Sequence, residues 1–372
     1  MKFTIERGAL LRTLGHVHNV VERRNTIPIL SNVLIEARDG RLSLTATDLD
    51  LAIVETVECS VSQPGATTAP AHTLFDIVRK LPDGAEVEVV FKGEDQRLTI
   101  AAGRSRFALA CLPREDFPVM SEGGLPHQFT VAGGALRKMI DKTRFAISTE
   151  ETRYYLNGIY LHATEAAGLP VLRAVATDGH RLARLEQPLP EGAAGMPGVI
   201  VPRKVINEVR KLVDEAQGDV GISLSDSKIR FAFDNIVLTS KLIDGTFPEY
   251  SRVIPTQNDK VLLVDGPSFA NAVDRVSTIS SEKSRAVKLT IEHDKVTLSV
   301  TSPENGNATE ILEADYKSEP MEIGFNARYL LDITNQIEGN EARFVLSDAV
   351  APTIVRDGDD DSALYVIMPM RV

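Results

Sequence analysis

The sequence predicts an α+β chain of three similar domains, each with two helices packed on antiparallel sheets. Three observations carry this. A strand–turn–helix pattern recurs three times along 372 residues. Each recurrence contains the pattern twice. The βαβ alternation with Gly-rich turns that a dinucleotide-binding fold requires does not occur.

The first halves of the repeats are "FTIERGALLRTLGHVHNVV" (3–21), "FTVAGGALRKMIDKTRFAI" (129–147) and "LLVDGPSFANAVDRVSTIS" (262–280). Each opens on a short alternating strand, turns at Gly, and continues with apolar residues at three- and four-residue spacing, the signature of a half-buried helix. The starts lie 126 and 133 residues apart, so the three domains are of similar size, over 1–120, 128–252 and 260–372.

The second halves follow suit. "LSLTATDLDLAIVE" (42–55), "VLRAVATDGHRLARLE" (171–186) and, more loosely, "VTLSVTSPENGNATEILE" (296–313) alternate like strands around a turn. A second strand-plus-helix unit comes next: "TTAPAHTLFDIVRKLP", "GVIVPRKVINEVRKLV" and "MEIGFNARYLLDITNQI". A strand meander closes each domain. The Gly-, Pro- and polar-rich stretches 119–127 and 253–260 are expected to be linkers.

Apolar residues make up 43% and charged residues 25%, a globular composition. The first residues, "MKFTIERGALLRT", lack an apolar h-region, and no run approaches the eighteen apolar residues of a membrane span. Cys59 and Cys111 are far apart and form no CxxC pair. The expectation is a soluble, cytoplasmic protein in a reducing compartment with no membrane partner.

The net charge is −11, which argues globally against a polyanion partner. Its distribution argues the other way. The six helical segments (7–24, 73–81, 134–145, 202–213, 267–285 and 326–337) hold 18 Lys and Arg against 7 Asp and Glu. They carry +11 and the remainder −22. Helices favour Glu as readily as Lys, so propensity alone does not explain the excess. A basic surface set apart on an acidic body is the footprint of a polyanion. No recognition-helix, zinc-finger or RNP pattern is present, so contacts would be to phosphates, non-specific and salt-sensitive.

Catalytic patterns are missing. There is no GxxxxGK[ST], HExxH or GxSxG. Nothing in the chain calls for a cofactor or a metal. "RDGDDDS" (356–362) lacks the Gly and the terminal Glu of a calcium loop and is expected to be an exposed acidic hairpin turn. "ATDGHRLARL" (176–185) concentrates Asp178, His180, Arg181 and Arg184. Its sister "ATDLDLAIVE" keeps Ala-Thr-Asp without the His. The Thr–Asp pairs therefore belong to one repeated turn, with Asp bonding its own backbone, and His180 has no evident catalytic partner. Gly179 permits close backbone approach, which suits a binding surface.

"MKFTIER", "RYYLNGIYL" (153–161), "ATDGHRLA" (176–183), "VPRK" (201–204), "TSKLIDGTFPEYSRVIP" (239–255) and "YVIMPMRV" (365–372) resemble, in order and spacing, the bacterial sliding clamps, the beta subunits of DNA polymerase III. The resemblance runs end to end. It implies the DNA clamp fold and a head-to-tail homodimer forming a six-domain ring. Helices would line a hole around double-stranded DNA, and strands would form the outside.

It also implies a partner-peptide groove of Leu156, Thr177, Gly179, His180, Arg181, Leu182, Pro248, Arg252, Val253, Val366, Met368 and Met370. For DNA it points to Arg24, Arg153, Tyr154 and Tyr155, and on the helices to Arg137, Lys138, Arg203 and Lys204. For the dimer interface it points to Arg104, Arg106, Phe107, Leu109, Ile279 and Glu304. The implied partners are the DNA polymerase III catalytic subunit, an ATP-dependent clamp loader, and other replication and repair proteins carrying clamp-binding peptides.

The chain departs from the family pattern in two places. His72 and Thr73 stand where a basic pair is common, and 301–313 holds only Glu304, Glu310 and Glu313 where an acidic cluster is usual. A dimer that depends less on salt and opens more easily is expected. Two rival readings stay open: a peptide-binding scaffold that never encircles DNA, and a hydrolase built on Asp178 and His180.

Overall fold

The computed structural model describes residues 1–93, 96–120, 123–216, 218–280, 285–358 and 360–372. Among them are six α-helices: α1 (Arg7–Val17), α2 (Ala71–Lys80), α3 (Gly133–Thr143), α4 (Arg203–Glu215), α5 (Gly266–Ser277) and α6 (Ala327–Thr334). No helix is long and apolar enough to cross a membrane.

Each helix follows a strand directly, and local capping makes the switch in three of them. Glu6 accepts from Ala9 N at 2.9 Å, Asp265 from Ser268 N at 2.9 Å, and Asn326 from Arg328 N at 3.0 Å, satisfying N–H groups with no helical partner. The buried stripe of α1 is Leu10, Leu14 and Val17; that of α5 is Phe269, Ala272, Val273 and Val276. These are the i, i+3, i+4 and i+7 positions of one helix face.

All strand pairs are antiparallel, and the chain divides into two compact units. The first comprises 1–136, 191–196 and 207–242. It contains a five-stranded sheet in the order Ser60–Gln63, Lys2–Glu6, Glu86–Lys92, Arg97–Ala102 and Ser105–Ala110. It also contains an eight-stranded sheet: His127–Ala132, Asp219–Leu224, Lys228–Ala232, Ile236–Lys241, Leu51–Glu58, Arg41–Thr47, Asn32–Arg38 and Gly65–Pro70. In this sheet Ile236–Lys241 of the second repeat pairs with Leu51–Glu58 of the first, so the two repeats share one continuous ladder. His16 of α1 adds a polar tie within this unit, with Nδ1 2.7 Å from Glu55 and Nε2 2.9 Å from Glu215. Burial disfavours its charged form, but the two carboxylates outweigh this and raise its pKa.

The second unit comprises 137–190, 197–206 and 243–372. Its nine-stranded sheet runs Val199–Pro202, Gly158–Ala166, Leu169–Thr177, Arg181–Pro188, Asp360–Ile367, Thr353–Asp357, Glu341–Leu346, Lys260–Asp265 and Asp315–Tyr316. Here Arg181–Pro188 of the second repeat pairs with Asp360–Ile367 of the third. A four-stranded sheet, Gly306–Glu313, Lys295–Ser302, Ala286–Glu292 and Met321–Asn326, completes the unit. In its core Tyr316, Phe325, Phe344 and Tyr365 are fully buried. The Tyr365 hydroxyl is pushed to high pKa by that burial.

Three expectations need adjustment. α1 ends at Val17, not at residue 24, because the β-branched Val20 and Val21 leave the helix to become buried. Arg23 and Arg24 therefore lie on a loop. The acidic turn 356–362 is a hairpin between two strands, but it is not wholly exposed: Asp357 is buried, and its Oδ2 accepts from the backbone of Glu338 at 2.7 Å and Gly339 at 3.0 Å. Asp359 of that turn, residues 121–122 of the linker 119–127 and residues 281–284 of the segment 267–285 lie outside the described residues. The linker 253–260 is held down, with Asn258 Nδ2 donating to Val345 O at 2.8 Å and to Pro352 O at 2.9 Å.

Candidate peptide-binding cleft

The site grows from the turn 177–181. Thr177 Oγ1 accepts from Gly179 N at 3.1 Å and donates to Arg181 O at 2.6 Å. Asp178 Oδ1 accepts from His180 N at 2.9 Å and Arg181 N at 3.1 Å. The sister turn repeats every bond: Thr47 with Leu49 N (3.0 Å) and Leu51 O (2.9 Å), Asp48 with Asp50 N (3.0 Å) and Leu51 N (2.7 Å). Leu49 holds φ +79° and Gly179 φ +88°. The left-handed position is thus part of the turn itself, and only Gly takes it without cost. Gly179 has a second reason: a Cβ there would stand 2.5 Å from the Arg153 guanidinium that crosses it.

Around this turn is a cleft of about 290 Å³. Its floor belongs to the buried cluster Leu156, Val175, Leu182, Ile200, Phe247, Tyr250, Leu364 and Val366. Val253 and Met368 stand at the rim, 47% and 39% exposed. Of the residues expected in a groove, Leu156, Thr177, Gly179, Arg181, Leu182, Pro248, Val253, Val366 and Met368 line it. His180 lies outside it, with its ring parallel to Tyr329 at 6.2 Å. Arg252 is exposed beside Glu249. Met370 bonds Gly324 through its backbone at 2.9 Å, which ties the C-terminal tail to the four-stranded sheet.

Four residues join the cleft unforeseen: Arg153, Tyr155, Glu249 and Tyr250. Arg153 and Tyr155 are expected from the sequence to meet DNA. A signal for Tyr250 is present in the sequence. Phe247, Tyr250 and Val253 recur at three-residue spacing, which matches the 3-10 turn at Tyr250–Val253. The Tyr250 hydroxyl is held from below by Arg173 at 2.8 Å and His162 at 2.9 Å.

Burial, and then the nearby Arg173 charge, lower the His162 pKa to about 4. The folded chain therefore refuses a proton that the unfolded chain accepts near pH 6.5. This contribution is complete above pH 6.5 and is lost as pH falls to about 4; screening at this half-buried site reduces it to on the order of 2–3 kcal/mol. His162→Gln is expected to flatten the stability–pH curve over that interval; an unchanged curve in urea titrations would show that His162 is not the titrating group.

Arg181 is 7% exposed and all three nitrogens of its guanidinium are engaged. It reaches Asp178 at 3.1 Å, Asp332 at 2.5 Å and Phe145 O at 2.7 Å, and it lies over the rings of Phe145 and Tyr329. It lines the cleft with its stem, not its charge. Asp178 is consumed by its own turn and by Arg181, and it has no contact with the His180 ring. The arrangement holds a surface in shape and does not support the hydrolase reading.

The remaining expected residues are spread over both units. Arg24 and Arg137 are exposed, Tyr154 is 54% exposed, Lys138 pairs with Asp360 at 2.7 Å, and Arg203 and Lys204 open α4. Arg153 is chelated by Glu150 at 2.8 and 2.6 Å. Arg106, Phe107 and Leu109 sit on Ser105–Ala110, with Arg104 in the turn before it; this strand is an edge of the five-stranded sheet. Glu304 precedes Gly306–Glu313, an edge of the four-stranded sheet, and Ile279 follows α5 half-buried. Ile311 on that edge is 65% exposed, an apolar residue the sequence reading passes over.

Models of the N-terminal, central and C-terminal domains of the DNA polymerase III beta subunit match residues 1–121, 130–249 and 251–371. The chain belongs to the DNA polymerase III beta subunit family. The beta sliding clamp of Caulobacter vibrioides is 58% identical over 372 residues, covering 100% of both chains. That of Escherichia coli is 40% identical over 373 residues with the same coverage. A solved Caulobacter crescentus beta sliding clamp matches with a TM-score of 0.98 at 58% identity, covering 100% of this chain and 99% of that one. A Bartonella birtlesii sliding clamp, solved bound to griselimycin, matches with a TM-score of 0.97 at 52% identity and full coverage of both. The three repeats are clamp domains, and the clamp is a non-catalytic subunit.

Proposed function

We propose that two copies of this clamp close head to tail into a six-domain ring that encircles duplex DNA without reading its sequence. The ring slides, and it tethers the DNA polymerase III catalytic subunit and other replication and repair proteins by short peptides seated in the 153–182, 248–253 and 366–368 cleft. Confinement by topology raises local polymerase concentration with no chemistry in the clamp. An ATP-dependent loader places it on DNA, since the chain has no nucleotide-binding loop. It works in the cytoplasm.

The cleft carries this reading: a buried apolar floor with Val253 and the adaptable Met368 exposed above it is a surface for apolar peptide anchors. Two further features support the ring. Unpaired strand edges invite pairing with another chain; of the expected dimer residues Arg106, Phe107 and Leu109 lie on one such edge, Ser105–Ala110, and Glu304 just precedes another, Gly306–Glu313. An edge of one kind meeting an edge of another is a heterologous contact, which closes into a ring when its rotation allows. The basic helices supply non-specific attraction to phosphates. Glu310 is held by Arg275 at 3.0 and 2.5 Å, leaving Glu304 and Glu313 to face a partner's Arg104 and Arg106. That supports a dimer resting more on Phe107, Leu109, Ile279 and Ile311 than on charge.

Negative-stain images of the purified protein are expected to show rings with a central hole. Once loaded on a nicked circular plasmid, the clamp is expected to survive gel filtration at about 0.5 M NaCl, where phosphate contacts alone fail. Cutting the plasmid is expected to release it. Equal retention on circular and linear DNA would remove the topological mechanism.

A further inference from the structure

Beside the apolar cleft is a second cavity of about 440 Å³, and the two share Arg181 as a wall. Three helix ends bring guanidinium groups to it: Arg144 just after α3, Arg203 opening α4 and Arg328 opening α6. Their charge is poorly neutralised. Arg203 has no carboxylate partner among the described residues. Arg144 stands 3.4 Å from Asp141, which Arg137 also approaches at 3.6 Å. Arg328 stands 3.9 Å from Asp332, whose Oδ2 is already taken by Arg181 at 2.5 Å.

The acidic groups of the cavity are committed elsewhere. Asp178 serves its own turn and Arg181, and Glu150 grips Arg153. Three arginines with spare donors therefore line one cavity, and among the described residues no uncommitted carboxylate answers them. A guanidinium fork matches a carboxylate in two parallel hydrogen bonds.

We propose that this cavity receives a carboxylate of the partner peptide, from an Asp or Glu that flanks the apolar anchors. The inference rests on the reading of the neighbouring cleft as the peptide seat. Continuity decides for a peptide: the same chain that buries apolar anchors against Leu182 and Val366 passes the shared Arg181 wall. Apolar anchors supply the bulk of the affinity, and the cationic cavity supplies selection among partners and faster encounter.

The test uses the full-length clamp and fluorescent peptides with two apolar anchors, carrying Glu or Gln on either flank. With wild-type protein, one Glu peptide is expected to bind about tenfold tighter than its Gln twin. Arg203→Gln alone is expected to reduce that preference, and Arg144→Gln with Arg203→Gln and Arg328→Gln to erase it, while the Gln peptide keeps its affinity within about twofold. Equal binding of Glu and Gln peptides at both flanks would overturn the proposal and leave the cleft reading intact. Binding of none of them would remove the cleft reading and the proposal with it. Equal weakening of both peptides by the variants would make the arginines structural and also overturn it. So would arginine-dependent binding of a single-stranded oligonucleotide in the absence of any Glu preference, since the occupant would then be a phosphate.

Discussion

Trimming Val253 and Met368 to alanine is expected to weaken an apolar-anchored peptide by roughly 30-fold, without harm to the fold. Both side chains stand at the rim of the cleft, 47% and 39% exposed in the free chain. A peptide that covers them removes apolar surface from water, about 1 kcal/mol for each side chain lost, or about 2 kcal/mol together. Because neither is buried beforehand, truncation leaves no cavity in the free clamp and costs about 0.5 kcal/mol or less of stability. Peptide titration with thermal unfolding on the same samples reads both effects. Undiminished affinity would take these residues out of the seat. Met370→Ala should behave differently. Its backbone anchors the tail at Gly324, so its effect on peptides is indirect and small beside that of Met368.

Arg181→Ala is expected to cost about 3–5 kcal/mol of stability. The guanidinium is nearly sealed from water, and it satisfies Asp178, Asp332 and the Phe145 carbonyl at once. Removing it leaves Asp178 and Asp332 without their shared cation, and it takes a cation from two aromatic faces. Arg181→Lys restores the charge but not the fork, so it should recover only part of the loss. Urea denaturation of the two variants checks this. A loss below about 1 kcal/mol for the alanine variant would mean that the carboxylates re-solvate.

The turn at 177–181 shows how far a sequence can be read toward this site. Thr-Asp recurs in two repeats, and the chemistry of Asx bonding predicts a hairpin whose side chains face inward to their own backbone. The structure has that turn twice, bond for bond. The apolar cleft residues were legible through family resemblance, since Leu156, Leu182, Val366 and Met368 converge from three stretches far apart in the chain. Arg153 and Tyr155 were not, because a neighbouring Arg and Tyr look alike whether they face a phosphate or line a cleft. The structure places both at the cleft, where Glu150 chelates Arg153.

Features governed by contacts within a few residues could be read directly from the chain. They include the threefold repeat, the helices begun by Glu6, Asp265 and Asn326, and the paired Thr–Asp turns, because a capping or Asx bond needs only its own neighbours. Folding in three dimensions was needed for everything that joins distant segments. It set Ile236–Lys241 against Leu51–Glu58 and Arg181–Pro188 against Asp360–Ile367, which turns three repeats into shared sheets. It also committed Arg181 to internal carboxylates and, among the described residues, left Arg203 without one. Any exposed strand edge or any arginine can in principle take many partners, and the choice among them falls to the total burial and hydrogen bonding of the assembled chain, which no local pattern encodes.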